Sequence, residues 1–307
     1  MTVLRDAVAD YLTIRRALGF KLVEHERLLG DFAGFLEQAG AATITTELAL
    51  TWASRTRGTE GWKAARLSVI RGFAGYMRTL DPATEIPPTG ILIARKHYAV
   101  PYLYSQQEIG QLLAAAGALR PPLRAATYYT LIGLLSVTGM RIGEALRLDR
   151  DDVDLDAGVL TIHLTKFAKS RQLPLHPSTT AALTRYDRQR DELCPNPNAP
   201  SFFVSTRSNR MDKSGVQYVF RVLRRRVGIE RPRGSPQPRL HDFRHAFAVQ
   251  TLLDWHRSGV DVQARMLWLS TYLGHLEPSD TYRYLTAAPE LLALAAKRLQ
   301  TTLGDLP

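Results

Sequence analysis

The amino-acid sequence predicts a mainly α-helical protein with a small antiparallel β-sheet, arranged as a helical N-terminal domain and a mixed α+β C-terminal domain. Apolar residues recur at three- and four-residue steps through the first 80 positions, which is the period of amphipathic helices. A proline-rich stretch without a sustained period follows. Beyond it, two short segments alternate apolar and polar residues as strands do, among further helical segments.

The N-terminal domain is expected at residues 1–85 and a linker at 86–104. The stripe Leu4, Val8, Tyr11 is typical of a helix, and Trp62 to Met77 repeats that pattern with basic residues off the apolar stripe. We therefore expect a helical bundle with its basic residues outside. The chain from Asp81 to Tyr104 contains four prolines, which remove amide donors and disfavour helix in the preceding residue, so it indicates a boundary.

The C-terminal domain is expected at residues 105–307. Ser105 and Glu108 have the spacing of a capping box at the start of a helix. Segments 158–164 and 171–175 predict a β-hairpin with residues 166–170 at its tip, and the acidic run 151–156 before it predicts a solvated turn. Helices are expected from about Tyr128 and Ile142, and again near Thr179, Ser214, Asp242, Thr271 and Pro289.

The charge balance indicates a polyanionic partner. Forty Lys and Arg against 29 Asp and Glu give a net charge of +11 and a pI near 9.9, and clustered cations gain free energy by releasing counterions from phosphates. Residues 1–95 carry 12 basic and 10 acidic side chains, so most of the excess lies further on. The single cysteine, Cys194, excludes an intramolecular disulfide. No signal peptide or membrane span is evident, and a cytoplasmic, nucleoid-associated protein is expected.

The first candidate motif is Thr138-Gly-Met-Arg141-Ile-Gly-Glu144. A glycine-containing turn that leads into a helix places Arg141 near the helix N-terminus, which favours an anion. Glu144 lies three residues later on the same face, where its carboxylate can hold the guanidinium.

The second candidate motif is His241-Asp-Phe-Arg244-His245, whose histidines and arginine share one helical face. An arginine beside an imidazole suits a phosphate. His245 alone is also consistent with a hydrogen-bonded core histidine. A zinc site on His241 and His245 is disfavoured, because the metalloprotease pattern needs Glu where Asp242 stands and Arg244 would place a cation beside the metal.

The third motif is Tyr272-Leu-Gly-His275, followed nine residues later by Tyr284. Taken in order, the three motifs and the hairpin lysines resemble the tyrosine recombinase (phage integrase) family, which includes topoisomerase-like and transposon-borne members. The resemblance covers roughly residues 105–290, and the helical N-terminal part resembles the family's core-binding domain. The positions that match the family's catalytic motifs are Arg141 with its acidic helper Glu144, Lys166, His241, Arg244, His275 and Tyr284.

The resemblance implies DNA strand cleavage in which Tyr284 forms a 3′-phosphotyrosyl bond. It implies that Arg141 and Arg244 hold the phosphate, that His241 and His275 assist, and that Lys166 protonates the 5′ oxygen. Lys169 at the same hairpin tip is the rival for that lysine. Neither a metal nor another cofactor is implied. The implied partners are double-stranded DNA, further copies in a tetramer on paired sites, and other recombinases of the same element.

Basic residues outside the motifs are candidates for contacts with the DNA backbone. Segment 221–239 holds seven arginines against one glutamate, which is typical either of a solvated face or of a surface that follows phosphates. The expected DNA-contact residues are Lys63, Arg66, Lys169, Arg171, Arg224, Arg225 and Arg226.

Two alternatives to recombination stay open at this point. One is a topoisomerase-like enzyme that nicks and rejoins without strand exchange. The other is a catalytically silent, sequence-specific DNA-binding protein that retains the fold, although such a protein would need neither Tyr284 nor a general acid. The target sequence, and the choice among integration, excision, transposition and dimer resolution, do not follow from the residues.

Overall fold

The structure, a computed structural model, describes residues 2–92, 101–163, 170–232, 235–275, 277, 279–282 and 284. These residues form two compact units, 2–92 and 101–284. Both the helical content and the small antiparallel sheet agree with the prediction. The linker at 86–104 stays a prediction, since 93–100 lie outside the described residues. Within the described ranges, no helix is long and apolar enough to span a bilayer.

The first unit is a bundle of four helices around an aromatic core. Phe32, Trp52 and Phe73 are almost completely buried, and the ring of Phe32 meets that of Trp52 edge to face at 5.2 Å. Thr45 and Thr59 cap two of the helices by accepting amide hydrogen bonds, as the N-cap preference of threonine predicts. The helices are α1 (Thr2–Ala17), α2 (Val23–Gln38), α3 (Thr46–Ser54) and α4 (Glu60–Met77).

Arg66 does not lie on the outside of this bundle, so that expectation is wrong for it. Only 8% of the residue is exposed, its guanidinium stacks 3.7 Å from the Trp52 ring, and it donates to the Trp52 carbonyl at 3.1 Å. A guanidinium is weakly hydrated and stacks well on an indole, which is why an arginine can occupy this position. Arg66 is therefore part of the core of the first unit.

The second unit consists of eight helices and three short strands in its described residues, with its core around α6. Helix α6 packs against α5, α8 and α10, and Leu131, Ile132 and Leu135 on it are buried. Tyr104 stacks on Phe243 at 4.4 Å, so this core extends to a residue placed in the predicted linker. The helices are α5 (Gln106–Gly117), α6 (Pro122–Thr138), α7 (Ile142–Ala145), α8 (Pro177–Leu193), α9 (Lys213–Arg226), α10 (Asp242–Arg257), α11 (Val262–Leu273) and α12 (Ser279–Tyr282).

The sheet contains the predicted hairpin and one additional strand. Strands β2 (Val159–His163) and β3 (Ser170–Pro174) pair antiparallel, with Leu160 opposite Leu173 on the buried face. Strand β1 (Val153–Asp154) pairs with β2 inside the run expected to be a turn, because Val153 packs on the core while Asp154 is exposed. The hairpin tip, including Lys166 and Lys169, lies outside the described residues.

Two helix starts differ from the predicted positions. Helix α6 begins at Pro122 rather than near Tyr128, since a proline in the first turn has no amide that needs a partner. A helix was expected to begin near Thr271, which is wrong: α11 begins at Val262, where Asp261 caps two amides, and it ends at Leu273. The helix expected from Pro289 lies outside the described residues.

Gly139 ends α6 in the left-handed conformation with a φ of 60°, which only glycine adopts at little cost. A Cβ at this position would lie 2.6 Å from Cδ1 of Phe247 on α10. Glycine thus permits both the reversal of the chain after α6 and the close approach of α10.

Replacing this glycine is expected to destabilise the second unit more than replacing another left-handed glycine. Gly139→Ala introduces backbone strain of about 1–2 kcal/mol together with the clash against Phe247. Gly228→Ala is the matched control, because Gly228 also has a positive φ but a Cβ added there would meet nothing within 4 Å. Urea denaturation of both variants measures the free energy of unfolding. Equal decreases in the two variants would show that the clash with Phe247 does not contribute.

Candidate functional site

The C-terminal end of α11 is the centre of the site, because three arginines donate to its last carbonyls. Arg171 Nε donates to the Tyr272 carbonyl at 3.1 Å, and Arg244 Nη2 donates to that of Leu273 at 2.7 Å. Both terminal nitrogens of Arg141 donate to the Gly274 carbonyl at 3.1 Å. The last carbonyls of a helix have no partner within it and carry its negative partial charge, so cations are favoured there.

Arg141 precedes α7 as predicted, and Glu144 holds it. The Glu144 carboxylate accepts from the Arg141 amide and from Arg141 Nη1, both at 2.9 Å. The Arg141 side chain is 40% exposed, whereas that of Glu144 is 2% exposed. The guanidinium is thus fixed on its protein side by a buried carboxylate and remains open on its solvent side, where an anion can bind.

Arg244 is buried, with 2% of the residue exposed. Its second terminal nitrogen, Nη1, donates to the Gly139 carbonyl at 3.0 Å, and its positive charge acts to lower the pKa of the nearby Tyr284. Burial and the nearby Arg141 lower the pKa of Arg244 to about 10, so it remains a cation at neutral pH. The C-terminal ends of α6 and α11 together hold this arginine in place.

Tyr284 is only 4% exposed and lies against two imidazoles. Its ring centroid is 5.9 Å from that of His275, nearly parallel to it, and 5.4 Å from that of His245. Burial raises the pKa of the Tyr284 hydroxyl, while Arg244 acts in the opposite direction by charge and hydrogen bonding. By contrast, Tyr282 is 44% exposed, so the two tyrosines have different environments despite being two residues apart.

The predicted histidines are in the same cluster in their neutral form. His275 Nδ1 bonds the Thr281 hydroxyl at 2.6 Å, and the His241 ring meets that of His245 edge to face at 4.9 Å. Burial and nearby cationic side chains lower the pKa of both His241 and His275 to about 4. At neutral pH these imidazoles can therefore accept a proton or a hydrogen bond without adding charge.

His245 differs from the hydrogen-bonded core histidine considered from the sequence. Its Nδ1 atom is buried and has no hydrogen-bond partner among the described residues, and its ring contacts those of both His241 and Tyr284. The i, i+4 spacing from His241 put it on the correct face, but only the fold brings Tyr284 to that face. No group of three His, Cys, Asp or Glu side chains converges as metal ligands would within the described part of the chain.

The expected DNA-contact residues differ in exposure. Arg224 is buried at 4% and donates to the Pro238 carbonyl at 3.0 Å, so its placement on a DNA-facing surface is wrong. Arg171 is 9% exposed and is paired with Glu144, which contradicts the same expectation. In both residues the planar guanidinium donates to acceptors inside the fold, a carbonyl for Arg224 and a carboxylate for Arg171. Arg225 and Arg226 are exposed, and Lys63 is partly exposed and pairs with Glu60 at 2.7 Å.

The chain resembles known recombinases along most of its length. Residues 103–290 match the model of the phage integrase family. A protein of Sinorhizobium fredii (strain NBRC 101917 / NGR234) named "Putative integrase/recombinase y4rB" is 47% identical over 99% of both chains. Tyrosine recombinase XerA of Thermococcus kodakarensis (strain ATCC BAA-918 / JCM 12380 / KOD1) is 28% identical over 78% of this chain and 76% of that protein.

Solved structures show the same fold at low identity. The Tn1549 transposon integrase in complex with transposon right end DNA superposes with a TM-score of 0.66 and 15% identity, over 96% of this chain and 99% of that one. A lambda integrase dimer bound to a COC′ core site gives a TM-score of 0.63 and 17% identity, over 90% and 96% of the two chains.

Acidification is expected to destabilise the fold through the site histidines. Unfolding frees His241 and His275 to bind protons with an ordinary pKa, so stability is complete above about pH 6.5 and is lost as the pH falls towards about 4. Because His241 is exposed and His275 is half-buried, solvent screening keeps each contribution below about 1.4 kcal/mol per pH unit. Urea denaturation across this pH range measures the free energy of unfolding, which should depend less steeply on pH in His275→Gln than in the wild-type protein. The control is His176→Gln, at an exposed histidine of the same unit, which should retain the wild-type dependence on pH.

The two neighbouring arginines of α9 are expected to differ in their effect on stability. Arg224→Gln leaves the Pro238 carbonyl without its donor and should lower the free energy of unfolding by about 1–3 kcal/mol. Arg225→Gln removes a side chain that is 65% exposed and should change it by less than about 0.5 kcal/mol. Chemical denaturation measures both, and similar values for the two variants would show that burial is not the cause.

Proposed function

The chain belongs to the phage integrase family of tyrosine recombinases, and on that basis we propose that it is a site-specific recombinase that cuts and rejoins double-stranded DNA through Tyr284. The observation that carries the proposal is the environment of this tyrosine: a buried phenol beside the buried guanidinium of Arg244, which acts to lower its pKa, in the same site as the open guanidinium of Arg141. A protein that only bound DNA would need no such tyrosine.

Arg141 and Arg244 neutralise the scissile phosphate in the proposed reaction. A phosphodiester repels an incoming nucleophile, and bidentate guanidinium groups match its two non-bridging oxygens. Their remaining N–H groups are aimed by the helix-end carbonyls and Glu144, so little reorganisation is needed when negative charge develops. Removing one such donor from a preorganised site typically costs on the order of 100-fold in rate.

Tyr284 is the proposed nucleophile. Its phenolic oxygen forms a bond to phosphorus while the bond from phosphorus to the 5′ oxygen breaks, which leaves a 3′-phosphotyrosyl group and a free 5′ hydroxyl. Because the new ester retains the energy of the broken one, attack by a 5′ hydroxyl reverses the step and rejoins the strand without ATP. Arg244 favours the ionised phenol by hydrogen bonding and charge, against the effect of burial.

Protons must leave the phenol and reach the departing 5′ oxygen. His241 and His275 are neutral at physiological pH, because burial and nearby cations lower the pKa of each to about 4, so both can accept hydrogen bonds. We assign proton acceptance to His241, with His275 positioned by Thr281 to bond a phosphate oxygen. The general acid is Lys166, with Lys169 as the rival, and both lie outside the described residues.

The proposed partners are double-stranded DNA and further copies of the chain. The net charge of +11 suits DNA, and solved relatives include a lambda integrase tetramer bound to a Holliday junction. By analogy this chain would form a tetramer on paired sites during integration, excision or transposition, alone or with other recombinases of the same element. The remaining candidates for backbone contacts are the exposed Arg225 and Arg226, the partly exposed Lys63, and Lys169, which lies outside the described residues.

Tyr284→Phe is expected to abolish covalent attachment to DNA, because it removes the attacking oxygen. The assay incubates the protein with a pool of nicked duplexes of randomised sequence, in which loss of a short fragment traps the adduct, and detects it by denaturing electrophoresis. Tyr282→Phe is the matched control at an exposed tyrosine and should form the adduct at the wild-type level.

Sequencing the trapped duplexes would give the target site, and these duplexes serve as defined substrates afterwards. Two outcomes contradict the proposal: no adduct with the wild-type protein, or an undiminished adduct with Tyr284→Phe. Binding of duplex DNA without any adduct would instead favour a catalytically silent DNA-binding protein.

A further inference from the structure

Arg171, on strand β3, has a side chain that is 9% exposed and three hydrogen bonds inside the fold. Its Nη1 and Nη2 donate to Oε1 and Oε2 of Glu144 at 3.2 and 3.0 Å, and its Nε donates to the Tyr272 carbonyl at 3.1 Å. This is a bidentate fork on a carboxylate, which is the geometry that fixes a carboxylate in one orientation. Arg171 therefore determines the orientation of Glu144.

Glu144 transmits that orientation to Arg141. Each of its two oxygens is shared: Oε1 also accepts from Arg141 Nη1, and Oε2 also accepts from the Arg141 amide, both at 2.9 Å. Since the Glu144 side chain is 2% exposed, solvent does not supply alternative partners for it. A change in the Glu144 orientation would have to move the Arg141 guanidinium, its backbone, or both.

Gly274 provides a second link between the same two arginines. A Cβ at Gly274 would lie 2.5 Å from Arg171 Nη1, so the guanidinium packs directly on the glycine backbone. The carbonyl of this glycine accepts hydrogen bonds from both terminal nitrogens of Arg141. Arg171 thus contacts both groups that hold Arg141, the carboxylate and the end of α11.

We propose that Arg171 is a positioning residue for DNA cleavage, which acts by holding the Glu144 carboxylate that orients Arg141. This inference rests on the proposed function, because it needs the cleavage reaction. It replaces the expectation that Arg171 contacts DNA directly. It also means that β3, the strand that follows the lysine tip of the hairpin in sequence, is anchored to the residues proposed to hold the phosphate.

The proposal has a consequence for the dependence of cleavage on pH. Burial acts to raise the pKa of Glu144, but hydrogen bonds and charge from Arg171, with those from Arg141, outweigh it and lower the pKa below the ordinary value. Without Arg171 that pKa rises, so Glu144 becomes protonated at a higher pH and releases Arg141. The acidic limb of the cleavage profile should therefore move to higher pH in Arg171→Gln.

The test is a double-mutant cycle in single-turnover cleavage of a duplex trapped by the wild-type protein. Arg171→Gln is expected to slow covalent attachment by up to about 100-fold, the usual effect of misplacing a reacting group by about 1 Å, while the Kd for the duplex changes by less than about threefold. The double variant Arg171→Gln/Glu144→Gln should be no slower than the slower single variant, because the two residues act on the same group. Arg171→Lys should recover part of the rate.

Arg150→Gln is the matched control, since Arg150 is also an arginine of the second unit with two carboxylate partners, Asp187 and Asp191, but is 43% exposed. It should cleave at the wild-type rate and with the wild-type pH profile. If Arg171→Gln fails to fold, the same cycle is run with Arg171→Lys and Glu144→Gln.

Three outcomes would overturn the role of Arg171 but leave the proposed function intact. They are cleavage by Arg171→Gln at the wild-type rate, decreases in rate that multiply in the double variant, and a weaker affinity for DNA with an unchanged cleavage rate. The last would restore a direct contact with DNA. Failure of the wild-type protein to form any adduct would overturn the proposed function itself and the role of Arg171 with it.

Discussion

Three guanidinium groups lie side by side in the second unit, and the structure of the site depends on what offsets their mutual repulsion. The carbonyls of Tyr272, Leu273 and Gly274 each accept from a different arginine, at the negative end of α11. The chain can leave that helix end only because Gly274 adopts a φ of 68° and has no side chain to displace the guanidinium of Arg171. One helix terminus therefore brings together arginines from three other elements.

In the same site the arginines are charged and the histidines are neutral. The arginines remain cations when buried because their ordinary pKa is so high that Arg244, lowered to about 10, is still protonated at neutral pH. The imidazoles around Tyr284 start from a much lower pKa, and burial makes His241 and His275 neutral. Desolvation and the neighbouring arginines together thus divide the side chains of the site into fixed cations and neutral hydrogen-bonding groups.

The sequence was sufficient where spacing along one element decides the outcome. The intervals among His241, Arg244 and His245 and the turn before Arg141 placed these residues correctly, and the alternation of the hairpin predicted β2 and β3. The sequence was insufficient to place Arg224 and Arg171. The residues around an arginine are the same whether its guanidinium faces water or donates to a carbonyl that is distant in sequence. The contact of His245 with Tyr284 likewise joins positions 39 residues apart, and no local signal predicts it.

The balance of charge in the described part of the site bears on which state of the reaction it favours. Among the side chains linked through Glu144 and the end of α11, Arg141, Arg171 and Arg244 contribute three positive charges and Glu144 one negative charge, so these four carry a net charge of +2. In the proposed reaction a bound phosphodiester carries one negative charge, and transfer of the Tyr284 proton to His241 would place a second one beside the arginines. If the proposed reaction is correct, these four side chains match the charge of the attacking state better than that of the resting substrate, and interactions that strengthen only towards the transition state are the ones that accelerate a reaction. The buried carboxylate of Glu144 thus offsets part of the positive charge of the arginines as well as orienting Arg141.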